Sequence, residues 1–246
     1  MDATEFEIYS FEGIVGSGSV VIEAFPGMGL SAAIAGFYVV ENLKLHEIAA
    51  ISSAQFPTIS IISRYKPEFP ARIYGRENAK VMVCVSEFTI PAELHLQLAR
   101  SILSWSQKQK CSLVISSSGI PIGNGQSHQN PEVRGVGSTE QTRDKLKAAG
   151  IRLFESGVVT GLAAALLNEG RLNNIDVAGL VLHVDPEIPD TYAASAILKT
   201  IDKLLPESHI DLSLLDEDAQ QIENRLKALR REAVEGNREA HSSTYG

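Results

Sequence analysis

The run "SVVIEAF" (Ser19–Phe25) is apolar at nearly every position and rich in β-branched residues, which predicts a strand covered on both faces. The segment that follows, "LSAAIAGFYVVENL", spaces small and aliphatic residues as a helix does. "EIAAISS", "TISIISRY", "ARIYG" and "KVMVCVSE" then read as strands separated by proline and polar residues. In "PAELHLQLARSILSWSQKQK" the positions Leu94, Leu98, Ile102 and Trp105 form one helical stripe, with Pro91 suited to the first turn. Further on, "CSLVISSSG" is a strand and "GIPIGNGQSHQNPEVRG" a loop. "STEQTRDKLKAAG" is a helix stopped by Gly150, and "TGLAAALLNEG" a short helix. "VAGLVLHV" is a strand and "DTYAASAILKTIDKLL" a helix.

Strands alternating with helices predict a three-layer α/β/α domain. The consecutive strands before Ser86 make its sheet mixed rather than purely parallel. Near the end, Leu215, Ala219, Ile222, Leu226, Leu229 and Ala233 repeat in steps of four and three, a heptad seam on an otherwise polar helix. Ser213 with Asp216 would cap it. Such a stripe either lies on its own domain or packs against another copy. Beyond it, "GNREAHSSTYG" has no apolar period. The expected organisation is one α/β/α domain over 1–210, a C-terminal helix over 211–235 and a mobile tail over 236–246.

The formal charge of −8 on 246 residues argues against sequence-independent nucleic-acid binding and against anionic membranes. The mostly apolar stretch Ala24–Val40 is broken by Pro26, Gly27 and Gly29, so no membrane span is expected. "MDATEFEIYS" is acidic where a secretory signal is basic, which predicts a cytoplasmic location. Cys84 and Cys111 sit in apolar runs and read as buried thiols.

"AFPGMGLSAAIAG" carries Gly27, Gly29 and Ala32 at the spacing of a dinucleotide-binding turn. The next strand ends "AAISSAQF", without the carboxylate that would hold a ribose, and Glu47 stands at that strand's start. Close helix–sheet packing at Gly27, Gly29, Ala32, Ala33 and Ala35 is the competing reading. A resemblance agrees with it. "FPGMGLSAAIAGFYVVENLKLHEIAAISSAQFP", "ARIYG", "VCVSEFTIP", "SGVVTGLAAALLNEG" and "DPEIPDTYAASAILKTIDKLL" occur in the order seen in the proteasome assembly chaperone 2 family. The similarity covers most of Ser19 to Leu205. It implies a nucleoside-phosphorylase-like α/β/α fold and a chaperone without a shared catalytic constellation.

No catalytic set emerges from the residues themselves. The six histidines are scattered, and no metal or cofactor is expected. "HVDPEIPD" places His183, Asp185, Glu187 and Asp190 after a strand, and capping of the next helix explains it best. Glu87 could act as a base but has no visible partner in sequence. A small-molecule alternative, for a nucleoside or a phosphorylated metabolite, would use Gly27 and Gly29 with the loop at Ser116, Ser118 and Gly119. The tail Thr244-Tyr245-Gly246 resembles the hydrophobic–tyrosine–any-residue ending of proteasome activators and archaeal chaperones. That resemblance implies insertion between proteasome α-subunits, with Tyr245 as anchor and the terminal carboxylate on a lysine. Thr244 departs from the pattern, since a larger aliphatic residue is usual there. The expected protein is a non-catalytic chaperone-like homo-oligomer. Its oligomer helix carries Leu215, Ile222, Leu226 and Leu229, and its partners are proteasome α-subunits.

Overall fold

The computed structural model of the chain describes residues 6–11, 17–63, 65–76, 79–122, 131–186, 189–205, 210–213, 221–228 and 231. The strands are β1 (Glu7–Ser10), β2 (Val20–Ala24), β3 (His46–Ser52), β4 (Ile61–Ser63), β5 (Lys66–Glu68), β6 (Ala71–Gly75), β7 (Val81–Ser86), β8 (Leu113–Pro121), β9 (Arg134–Gly137) and β10 (Val177–Val184). The helices are α1 (Ser31–Asn42), α2 (His95–Lys108), α3 (Glu140–Ala148), α4 (Gly161–Asn173) and α5 (Thr191–Asp202), followed by α6 over 221–228. None of the described helices is long and apolar enough to cross a membrane.

Eight strands form one sheet in the order β1-β3-β6-β7-β2-β8-β10-β9, and β4 pairs with β5 in a separate hairpin. The central strands β7, β2, β8 and β10 are parallel, and the flanking pairs are antiparallel. The sheet is therefore mixed, as the unbroken series of strands before Ser86 predicts.

Strict alternation sorts the side chains into two apolar layers. Val20, Ile22 and Ala24 of β2 join Val81, Val83 and Val85 of β7 under α1, α5 and α6. Val21, Met82, Cys84 and Val114 face the opposite way, under α2 and α4. The predicted stripe Leu94, Leu98, Ile102 and Trp105 is buried in this second layer.

The closest helix–sheet approach is made at Gly36, not at the glycines of the loop. A Cβ at Gly36 would lie 2.2 Å from the Ala24 Cβ, so α1 can seat on β2 only where a side chain is missing. At Gly27 a Cβ would meet nothing within 4 Å, which removes it from the packing explanation. Gly29 is needed for another reason. Its φ of +65° is left-handed, and a Cβ there would reach the Asp185 carbonyl at 3.0 Å.

The heptad stripe takes the first of its two options where it is described. Ile222 (4% exposed) and Leu226 (2%) sit in the layer with α1 and α5, and Arg225 lies over the Phe37 ring, 5.9 Å from its centroid. Just upstream, the Asp211 carbonyl accepts from Tyr38 (2.5 Å) and Asn42 (3.0 Å) at the end of α1. Ile222 and Leu226 are thus covered by their own domain. Leu215, Leu229 and the Ser213–Asp216 capping box, which needs Asp216, lie outside the described residues.

Candidate functional site: a fork in the central sheet

β2 stays paired with β7 from Val20 to Ala24, but it is paired with β8 only at Val20, Val21 and Ile22. Beyond Ile115, β8 continues against β10 alone as far as Pro121. The sheet therefore forks at the carboxyl ends of two neighbouring parallel strands. β2 leads to the β3–β6–β7 side and β8 to the β10–β9 side, which makes the fork a topological switch point, where open α/β sheets bind ligands.

A crevice of about 180 Å³ opens at the fork. Four segments close around it: Glu23 near the end of β2 with Phe25–Met28 beyond it, Thr89, Ile90 and His95 after β7, Ser117–Gly119 of β8, and Thr160–Ala163 at the start of α4. The Met28–Leu30 turn, which carries the chain out of β2, holds Gly29 and Leu30 in succession at left-handed φ values of 65° and 50°. A leucine in this region is strained, and such strain collects at functional sites. Thr160 precedes α4 in an extended conformation without a side-chain capping bond.

Glu23 forms the floor. Period-two alternation points it, like Val21, towards α2 and α4, opposite Ser116 on β8. Glu23 is 5% exposed and Ser116 is 1% exposed. The Ser116 hydroxyl donates to Glu23 Oε2 across the fork at 2.5 Å, and the Phe25 amide donates to Oε1 at 2.8 Å. Burial pushes the carboxyl up to about 7, and these two hydrogen bonds offset only part of that rise. Among the described lining residues there is no lysine or arginine, and the His95 ring faces the Ile90 carbonyl at 3.1 Å.

The sequence-predicted residues divide here. Gly27, Ser118 and Gly119 line the crevice, Ser116 lies beneath it on Glu23, and Gly29 turns away to bond the Asp190 amide through its carbonyl at 2.8 Å. The described part of the segment after Ser116 gives little support to the alternative of a phosphate cradle. Ser116–Pro121 is strand, with its register held by β10, and a carboxylate floor without a nearby cation opposes a phosphate. Residues 123–130 of that loop lie outside the described residues.

No motif marks Glu23 in the sequence, although a single carboxylate inside "VVIEAF" is its visible signal. Glu87 does have a partner. Arg72, 0% exposed, donates to both of its oxygens at 2.9 and 2.6 Å and also to Tyr74 Oη at 2.8 Å. Burial opposes the charge on Arg72, but Glu87 and, to a lesser extent, Tyr74 together more than offset it and raise the guanidinium above its ordinary value. The pair is a structural tie between β6 and the end of β7. Asp190 caps α5 through the Ala193 amide at 2.8 Å, as expected of "HVDPEIPD".

A wider groove of about 500 Å³ runs between β9, α3 and α4 at the sheet edge. Its Arg143 is already engaged by Glu140 and by the Gly137 carbonyl. The fork, which places a buried acid on the lining of a crevice at the strand ends, is the stronger site.

A mixed α/β sheet with two helical layers and a forked centre defines the class. The chain belongs to the PAC2 family, whose model matches residues 21–230. It is 28% identical over 213 residues to an uncharacterized protein of Methanocaldococcus jannaschii, covering 85% of this chain and 84% of that one. Among solved structures it is similar to Pyrococcus furiosus PbaA, an archaeal homolog of proteasome-assembly chaperone. That match has 25% identity and a TM-score of 0.78, over 94% of this chain and all of that one. The fold is also that of P. furiosus PbaB, an archaeal proteasome activator, at 23% identity and a TM-score of 0.72, over 92% of this chain and 99% of that one.

Proposed function

We propose that this chain is a non-catalytic, proteasome assembly chaperone-like protein of the cytoplasm that binds proteasome α-subunits as a homo-oligomer. The observation that carries this reading is the likeness to PbaA along nearly the whole of both chains, together with family membership. Thr244-Tyr245-Gly246, outside the described residues, supplies part of the contact. Tyr245 brings a large amphipathic ring, and a carboxylate on Gly246 brings a charge-assisted bond to a lysine. Several such tails on one oligomer bind with avidity when their tethers span adjacent pockets. With Ile222 and Leu226 covered by their own domain, Leu215, Ala219, Leu229 and Ala233 are the heptad positions left to meet another copy, Leu215 and Leu229 being the large ones.

Pull-down of purified α-subunits by the full chain and by a chain lacking residues 244–246 tests the tail. The truncated chain should fold normally and bind more weakly, and Tyr245→Ala should match it. Thr244→Leu should tighten binding by about 1 kcal/mol through added apolar burial. Equal capture by the full chain, the truncation and Tyr245→Ala would exclude the tail. Absence of capture by every form would exclude α-subunit binding itself.

A further inference from the structure

We propose that the crevice at the fork binds a small primary ammonium compound with an apolar body, its ammonium group donating to the Glu23 carboxylate. This proposal does not depend on the proteasome reading.

Three observations lead to it. The first is an uncompensated acid. Glu23 lies in an open crevice with a hydroxyl and one amide as its hydrogen-bond partners, and no lysine or arginine among the described lining residues. An ionised carboxylate offers about four lone-pair sites, so two donors leave capacity on a carboxylate that lines the crevice. A cationic donor satisfies that capacity and offsets the burial, whereas a carboxylate or phosphate ligand would add repulsion.

The second is the lining. Phe25, Pro26, Met28, Ile90 and Leu162 give apolar walls around that floor, the arrangement of small-molecule sites in which a few polar groups set orientation. The third is size. About 180 Å³ is below the roughly 300–1,000 Å³ of sites for drug-sized ligands, and it suits a compound with a short aliphatic chain. A metal ion fits poorly, since one carboxylate and hydroxyl groups fall short of the roughly six oxygens that hard cations gather.

The test titrates the full chain with n-butylammonium chloride and, at matched ionic strength, with sodium butyrate. The amide signals of Gly27, Gly119 and Ala163 are followed by NMR above the Glu23 titration range. Saturable shifts with the ammonium probe are expected, with affinity reduced about tenfold or more in Glu23→Gln. Met28→Trp, at the half-exposed rim, should fill the crevice and abolish the shifts, and this variant decides the matter if Glu23→Gln does not fold. Equal shifts with butyrate would overturn the proposal, as would no saturable shift with the ammonium probe. Unchanged affinity in a folded Glu23→Gln chain, or in a folded Met28→Trp chain, would also overturn it.

Discussion

Replacing Glu23 by glutamine should change how stability depends on pH, by an amount the site itself sets. Burial raises the carboxyl from an ordinary 4.5 to about 7. Between those values the folded chain keeps the proton that the unfolded chain has released, so stability falls as pH rises through the window and levels off above it. A rise of this size corresponds to about 3 kcal/mol, a large share of the roughly 5–15 kcal/mol that holds a native protein together. Glutamine carries no charge at any pH. Its oxygen can accept the Phe25 amide, and its nitrogen can donate to the Ser116 hydroxyl. The variant should therefore match wild type near the lower end of the window. Above the upper end it should melt about 6–12 °C higher, taking roughly 2–4 °C per kcal/mol for a chain of this size. The assay is thermal unfolding of both chains at several pH values, read as the difference in Tm, in which all shared titrations cancel. A difference that stays flat across the window would refute the reasoning, as would a glutamine variant that is less stable at high pH.

Gly36→Val should cost at least about 1–3 kcal/mol by prying α1 from Ala24, seen as a lowered Tm, whereas Gly27→Ala should be near neutral in stability. Ile222→Asp with Leu226→Asp should strongly lower the Tm by placing charges in a covered layer, and an unchanged melting curve would show that stripe to be solvated. Arg72→Met should cost about 3–5 kcal/mol in chemical denaturation by stranding Glu87, and adding Glu87→Leu should restore part of the loss. Strict additivity of those two changes would mean that the pair is not coupled.

Much of the fold was legible because its central strands announce themselves. β2, β7 and β10 are covered on both faces, and their sequences are almost continuously apolar. β1, β5 and β9 escaped a reading by pattern. "EIYS", "KPE" and "RGVG" are short, half-polar pieces whose strand character comes from the neighbours they pair with. Gly170 looked like the end of α4, yet the helix runs on to Asn173 and ends where Asn174 turns left-handed. A Cβ at Gly170 would lie 2.6 Å from Val177, so this glycine serves packing and not termination. The site was harder to see. Gly27, Ser118 and Gly119 were in view as loop residues, but the fork that joins them depends on where β2 and β8 part, and no local pattern encodes that. Arg72 on β6 and Glu87 just past the end of β7 lie 15 positions apart, so their pairing too is visible only after folding.

The place of β2 in the sheet also has a consequence for the chain as it is synthesised. This early strand is central, and its β7 partner is complete at Ser86, while β8 is not complete until Pro121. At about 5–20 residues per second, β2 presents an open edge for roughly 2–7 s after β7 has been made. That edge is apolar at Val20, Val21 and Ile22, the kind of surface that recruits a neighbouring nascent chain. Glu23 stands beside it, and while still in water it is ionised at neutral pH, a gatekeeper charge against mispairing. When β8 arrives, Ser116 takes up the same carboxylate and burial favours its proton, so the charge that guards the edge fades as the edge is closed.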